Sequence, residues 1–561
     1  MDKQKSFWKQ HRGFVMTALT VAVLVLVLAV NLLLAWVTED RVLLGDMTPE
    51  GLYTLSDKMK ETCNALNSDA TILFCADPDR LLENYELRYV YIMAKQLELE
   101  TGRIKVETCD LSRDPTAVNA YKSSSAVNIS ADNVIVASGG RYRIARGSTF
   151  WTVGEESNDE TDYYSFNGEY KMATLLLSVT QVKEPLVCFT YGHGETVYVP
   201  EERRGEVPAE VLEASSDDKS SFYYLLTNGG MRVEYINPDV EDIPENCLLV
   251  VTDGPDTDFS VGDIYSVQET TPLKRLHWYL AEKLGAMMLF IDPQDVQNLP
   301  NLTDFAADWG ISFHEGYYLR EAPENALSDA GNTRRKIFAN LSDDENNVSN
   351  SVYADILALG TVPRTVVADS GIVSGSWKHD GIGGSSTTQV VGYYGDFFTT
   401  SDKAQPIRIE DGTAGQAGTY AMAGLAVRSR LDETENVHYN AYFFGAASTS
   451  LTSNAYLDNH AYCNADLLYS TVRHIARTDA YASMELGGTS LNSPIPGGKP
   501  LKTVTLAEGG NKKYDDEGLS DGYYRAVDRT TQVTWGLLLT VVPVAVAATV
   551  GGILLIRRKN R

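Results

Sequence analysis

Apolar residues in this 561-residue chain fall into two continuous runs near its ends and a periodic pattern between them. The runs are 14–37 and 533–556, each 24 residues long and uncharged. A bilayer core is crossed by about 20 apolar residues in helical form, so each run predicts a membrane-spanning helix. A buried helix of a soluble core carries a polar face, and neither run has one. Trp36 and Trp535 stand at the ends facing the long middle segment, where amphipathic rings prefer the interface. Pro543 and Gly551-Gly552 are compatible with a helix in lipid. Lys3, Lys5, Lys9 and Arg12 precede the first run, and Arg557, Arg558, Lys559 and Arg561 follow the second. The positive-inside rule then predicts two cytoplasmic tails, 1–13 and 557–561, with residues 38–532 outside the cytoplasm. The first run is longer than the apolar core of a secretory leader and lacks a small-x-small site, which predicts an uncleaved anchor.

Between the anchors the pattern alternates between helix and strand. Ser56 and Asp57 suit the start of a short helix reaching Leu66. Residues 71–76 (TILFCA) read as a strand, and Leu82, Tyr85, Tyr89, Met93 and Leu97 recur at helical spacing. Strands follow at 104–109 and 133–137, the latter turned into a hairpin by Gly139-Gly140. This βαβ-then-hairpin order predicts a thioredoxin-like module at 45–155, without the redox cysteines of such folds. A second unit, 160–320, begins near Phe166 and has a helix through 174–179 followed by the strand 185–190 (PLVCFT). Later strands are 232–236, 247–252 and 286–291. Between them lie a helix around 222–228 closed by Gly229-Gly230, and one capped by Thr271-Pro272 with a Leu273, Leu276, Leu280, Leu284 stripe. Strands apolar throughout and alternating with helices predict a Rossmann-like parallel sheet buried on both faces. Residues 320–435, rich in Gly, Ser, Thr and Asp, read as a β-rich or loop-rich insertion. Residues 436–480 return to the α/β pattern with a strand at 440–445 and a helix at 465–476, and 481–532 form a linker. The fold class expected is therefore α/β with a transmembrane helix at each end.

Charge narrows the partners. The chain has 48 Lys+Arg and 75 Asp+Glu; setting aside the eight basic tail residues and Asp2 leaves 40 against 74 outside, a net −34. Such a surface disfavours nucleic acid and anionic headgroups as partners. The six cysteines are scattered with no CxxC pair, and Cys75, Cys188 and Cys247 sit in or beside apolar runs, which predicts buried free thiols.

Few residues carry candidate chemistry. The one Gly-Lys pair, Gly498-Lys499, precedes Pro500 and makes no P-loop, so the chain is not an ATPase. There is no GxSxG elbow, no HExxH and no dense Cys/His cluster, and Tyr191-Gly192-His193-Gly194-Glu195 does not complete a dinucleotide fingerprint. No cofactor and no resident metal are expected. One constellation stands out: His193, Glu195, Asp253 and Asp292 each follow an apolar strand, hence share the carboxyl edge of one parallel sheet, where open α/β sheets bind ligands. Three carboxylates and an imidazole suit a divalent cation or the hydroxyls of a sugar. The competing reading is that Gly-rich turns and Asp-Pro steps end strands and cap helices. Cys188 lies within its strand rather than at its exit, which argues against a nucleophile. The 31 tyrosines invite glycan stacking, but Tyr85 and Tyr89 lie at core spacing.

The order of motifs resembles the GldG family, auxiliary proteins of ABC-type transport systems linked to gliding motility. The matching residues are Leu52-Tyr53-Thr54-Leu55-Ser56, Phe166-Asn167-Gly168-Glu169, Tyr191–Glu195 and the 249–255 strand with Asp253. Leu289-Phe290-Ile291-Asp292-Pro293 follows, and then Asn464-Ala465-Asp466-Leu467 after an FFGAAS strand. The likeness spans roughly 45–315 and 440–476, not 320–435. It implies a non-catalytic accessory or scaffolding subunit of a bacterial ABC-2-type exporter in the cell envelope. The permease and the ATPase would be separate polypeptides, because this chain has only two spans and no nucleotide motif. The alternative is an anchored extracytoplasmic carbohydrate-binding protein or hydrolase that uses the His193/Asp253/Asp292 edge.

Overall fold

The computed structural model describes residues 54–122, 128–153, 163–181, 185–262, 270–328, 331–341, 364–376, 390–432, 437–459 and 461–476, with strand pieces at 504–505, 514–515 and 518–519. The two expected spans, 14–37 and 533–556, and both tails lie outside these residues. Among the described residues no helix is long and apolar enough to cross a membrane. The chain is α/β, with parallel and antiparallel sheets.

The first unit opens with helix α1 (Asp57–Asn64), whose N-cap Ser56 accepts from the Met59 N–H at 3.1 Å. Strand β1 (Ala70–Phe74), helices α2 (Pro78–Glu83) and α3 (Tyr85–Thr101), and strand β2 (Ile104–Thr108) complete a βαβ unit. Helix α3 stops at Gly102, which takes the left-handed conformation at φ 65° that a Cβ disfavours. The hairpin of β3 (Asn133–Ser138) and β4 (Arg141–Arg146) follows, giving the order β2-β1-β3-β4 with β1 and β2 parallel and the other pairs antiparallel. A small antiparallel sheet, β5 (Trp151–Val153) with β6 (Tyr163–Phe166) and the strand piece 504–505 on the other side of β6, leads into helix α4 (Gly168–Thr180).

Helix α4 departs from the sequence expectation that it begins the second unit. Its side chains Met172, Leu176 and Val179 share one buried cluster with Ile72 of β1 and Val134 of β3. Nearly every position of α4 is buried, so no polar stripe marks one face, and sequence order alone assigns it to the following strand. Two segments distant in sequence meet here. The Ser56 backbone N–H donates to Glu169 Oε1 at 2.8 Å and the Ser56 hydroxyl donates to Oε2, tying the start of α1 to the first turn of α4.

The second unit is built on an 11-stranded sheet. Its parallel block runs β8 (Arg232–Ile236), β7 (Leu186–Thr190), β9 (Cys247–Asp253), β10 (Ala286–Phe290), β19 (Val437–Ala446). Successive side chains alternate between two cores. Val187, Phe189, Leu249, Val251, Met288 and Phe290 face one cluster, and Leu186, Cys188, Val250, Met287 and Leu289 face the other. The first face is covered by helices that follow the short α5 (Ala209–Glu213), namely α6 (Ser220–Asn228), and later in the chain by Leu467, Leu468 and Val472 of the last described helix. The second is covered by Leu273, Leu276 and Leu280 of α7 (Pro272–Ala281) and Leu302, Phe305 and Ala306 of α8 (Pro300–Asp308). Strands continuous in apolar residues are thus buried on both sides, as a parallel sheet between helical layers requires.

The region 320–435 is β-rich, and it continues the same sheet. The parallel block is extended antiparallel by β18 (Ala421–Asp432), β16 (Val390–Thr399), β13 (Lys336–Leu341) and β14 (Thr365–Ala368), with β11 (Ile311–His314) and β15 (Ile372–Gly375) pairing beside it. Strands β12 (Tyr317–Arg320) and β17 (Gln405–Arg408) form a separate pair. Beyond β19 come the short α9 (Asn454–Leu457) and α10 (Asn464–Ile475). Asn464 closes the outer edge: its Oδ1 accepts from the Val366 N–H at 3.0 Å and its Nδ2 donates to the Val366 carbonyl at 2.7 Å. An edge strand offers unpaired backbone groups, and one buried amide side chain satisfies both polar groups of β14 at this point.

Truncating a buried leucine costs about 2–5 kcal/mol. Leu176→Ala in α4 is expected to lower urea stability by about that amount and to speed amide exchange in β1 and β3. Faster exchange confined to β7 and β9 would contradict the packing of α4 on the first unit.

Candidate functional site

All strands of the parallel block point the same way, so the loops leaving β7, β9, β10 and β19 emerge at one edge. Between β7 and β9 the connections diverge: α6, after β7, covers one face and α7, after β9, covers the other. That divergence is the switch point at which doubly covered sheets open a crevice. His193 and Glu195 follow β7, Asp253 ends β9, and Asp292 follows β10, so the fold delivers the four residues to the edge expected of them. Their side chains are held by separate sets of partners.

His193 and Glu195 form the first group. The turn that carries them uses Gly192 at φ 108° and Gly194 at φ 84°; a Cβ on Gly194 would lie 1.9 Å from Asp256 Oδ1. Within the turn the His193 backbone N–H donates to Glu195 Oε2 at 2.7 Å. The imidazole is buried, stacked on Phe259 with ring centroids 3.8 Å apart and planes 11° from parallel. Its Nε2 lies 3.2 Å from Asp239 Oδ2, in the loop after β8. His193 Nδ1 and Glu195 Oε1 face each other over 3.9 Å, too far for a hydrogen bond, and neither atom has a hydrogen-bond partner among the described residues. The crevice over β7 is therefore filled from within the chain, by an aromatic ring from the β9–α7 connection.

Asp253 anchors the second group. Its carboxylate, 2% exposed, lies 2.9 Å from Lys219 Nζ and accepts from the Thr452 hydroxyl at 2.7 Å. Lys219 Nζ also donates to Thr452 Oγ1 at 2.6 Å and to the Thr449 carbonyl at 3.1 Å, so its three protons all have acceptors. Asp253 Oδ1 is buried without a hydrogen-bond partner among the described residues. Asp292 belongs to the neighbouring turn, where its Oδ1 and Oδ2 accept from the Thr449 N–H and hydroxyl, both at 2.9 Å. Among the described residues no group of three or more His, Cys, Asp or Glu is placed to hold a metal ion.

Burial dominates the electrostatics of both groups. It pushes the Asp253 carboxyl above the usual carboxylate range against the pull of Lys219 and the Thr452 hydroxyl. It does the same to Glu195 against the His193 backbone N–H. Desolvating a carboxylate costs several kcal/mol, and one cation recovers only part of that.

Lys219, Thr449, Thr452, Asp239 and Phe259 were not singled out by the sequence. Thr449 and Thr452 follow an apolar strand as Asp253 does, and that shared position was the available signal. Lys219 lies in the run Asp217-Asp218-Lys219-Ser220, which reads as solvated charge. All six cysteines are free, five of them buried.

Removing one partner of a buried polar network costs about 1–3 kcal/mol. Thr452→Val is expected to lose about that much in urea unfolding, and Thr452→Ser, which keeps the hydroxyl, to lose much less. Equal losses would contradict a hydrogen-bonding role. Glu195 has a folded-state pKa above its ordinary value of 4.5. The stability it supplies is therefore complete below the unfolded value and is lost as pH rises through the folded one. As pH rises above 4.5, wild-type stability should fall more steeply than that of Glu195→Gln; parallel profiles would contradict the raised pKa.

Comparison of the chain with protein-family models, curated proteins and solved structures finds no match.

Proposed function

We propose that this chain is a non-catalytic auxiliary or scaffolding subunit of a bacterial ABC-2-type transport system of the GldG type. In this reading the first unit is a thioredoxin-like module and the second a Rossmann-like one. Both are held outside the cytoplasm between spans at 14–37 and 533–556. The permease and the ATPase are separate subunits, and the acidic ectodomain meets permease or cargo rather than nucleic acid.

The observation that carries the reading is how the sheet edge uses its polar groups. Asp253 holds Lys219 and Thr452, Asp292 caps Thr449, and Phe259 covers His193. Catalytic groups at a switch point face a crevice that substrate can enter; here the neighbouring loops occupy them. The meeting of Ser56 with Glu169 lends further support, because it gives two of the family-like motifs a shared structural role.

One observation favours the alternative of an anchored carbohydrate-binding protein or hydrolase. His193 Nδ1, Glu195 Oε1 and Asp253 Oδ1 are three buried polar atoms without hydrogen-bond partners among the described residues, all at the carboxyl edge of the parallel block.

Full-length protein, purified with an affinity tag from membranes of its own host in mild detergent, should bring down an ABC-2-type permease and an ATPase identifiable by mass spectrometry. Recovery of neither would overturn the transport reading. Saturable sugar binding abolished by a folded His193→Ala/Asp253→Asn variant would favour the alternative.

A further inference from the structure

A second polar space lies away from the sheet edge, between the two units. It is a cavity of about 290 Å³, walled by the β3–β4 hairpin and α4 on one side and by segment 201–206, α6 and β8 on the other. Six cations line it: Arg141, Arg143, Arg146, Lys171, Arg203 and Arg232. Only three carboxylates do, in a chain whose net charge is −27. An excess of positive charge in a cleft of an acidic protein is a local feature that the overall field does not explain.

Three of the six cations are paired with carboxylates. Arg203 is committed within the protein, its Nε 3.1 Å from Glu206 Oε2 and its Nη2 2.8 Å from Glu234 Oε2; Arg232 also pairs with Glu234. Arg146 lies 3.0 Å from Glu201 and 3.5 Å from Glu202. Lys171 differs. It is buried, and its ammonium donates to the side-chain oxygen of Asn228, a neutral group. Burial pulls its pKa down to about 8, opposed by Glu202 and reinforced by the nearby Arg143 guanidinium. A buried cation beside a second cation is unfavourable unless an anion joins them. On the same wall Glu202 Oε2 is buried and meets no hydrogen-bond donor among the described residues, 3.5 Å from Arg146 being beyond a good bond. The cleft thus presents cationic donors for an oxyanion and, beside them, a carboxylate oxygen that lacks a donor.

We propose that the cleft between the two units is a binding site for a small hydroxylated oxyanion of the sugar-phosphate class. The phosphate sits against Lys171 and the Arg141–Arg143 hairpin, and a sugar hydroxyl donates to Glu202. Guanidinium groups match the oxygen geometry of phosphate, and charged hydrogen bonds are the strong ones. Tyr223 and Tyr224 supply flat apolar walls of a size suited to a sugar ring. Because both units contribute, an occupied cleft fastens one to the other.

The test is calorimetric titration of the full-length protein in detergent with glucose 6-phosphate, glucose and inorganic phosphate. Glucose 6-phosphate should bind saturably and glucose should not. Lys171→Met, which replaces a buried cation by an apolar side chain of similar length, should weaken glucose 6-phosphate by about tenfold or more. Arg141→Gln, at the half-buried rim, provides an independent variant with a several-fold loss. Absence of saturable glucose 6-phosphate binding, or unchanged affinity in folded Lys171→Met and Arg141→Gln, would overturn the proposal. Inorganic phosphate binding as tightly as glucose 6-phosphate would overturn the role given to Glu202.

Discussion

Asp253 and Lys219 meet out of water at the edge where the loops of the parallel block converge, and the arrangement of that edge follows from keeping them paired. A lone buried carboxylate or ammonium costs several kcal/mol, so each must hold the other. Lys219 precedes α6 on one face of the sheet, Asp253 ends the central strand β9, and Thr452 belongs to the turn that follows β19. Three segments distant in sequence are therefore fastened at one point. The neighbouring bond from Asp292 to Thr449 fastens the same turn to β10.

A comparable logic operates at two other buried polar side chains. Glu169 is spent on the Ser56 N–H and hydroxyl, joining the first and last helices of the first unit, and Asn464 is spent on both backbone groups of Val366 at the edge of the large sheet. Their partners lie 113 and 98 residues away in the chain. In each case the polar residue satisfies backbone or charge that the apolar core leaves unpaired. The cleft between the two units contrasts with them. There Lys171 has a neutral partner and Glu202 Oε2 has no hydrogen-bond donor among the described residues, and that contrast motivates assigning the cleft a ligand.

Much of the layout was legible in the sequence because the strands declare themselves. TILFCA, PLVCFT, CLLVVT and AMMLFI are apolar throughout, and only a sheet covered on both faces accommodates them. Ser56 and Thr271 cap the helices expected of them. Helix α4 is harder to place from sequence because its burial is nearly complete: with no polar stripe to orient it, chain order points to β7 while packing draws it onto β1 and β3. The strands within 320–435 were seen as β-rich, but their continuity with the parallel block was not, since antiparallel pairing across long connections leaves no local pattern. Of the site, the sequence placed His193, Glu195, Asp253 and Asp292 at one edge, since strand ends locate them. It could not foresee that Lys219 and Phe259 close that edge, because an exposed-looking lysine and a loop phenylalanine become partners only through tertiary packing.

The reading as a transport accessory depends on this edge being a structural lock rather than a reaction centre. A double-mutant cycle in the full-length chain, with Lys219→Met, Asp253→Asn and the pair compared by urea unfolding, tests that most directly. A lock predicts that Lys219→Met alone costs about 3–5 kcal/mol, because it strands a buried carboxylate. Adding Asp253→Asn should then recover part of the loss, with a coupling energy of about 1 kcal/mol or more. Small, additive losses in the two single variants, with no coupling between them, would contradict it.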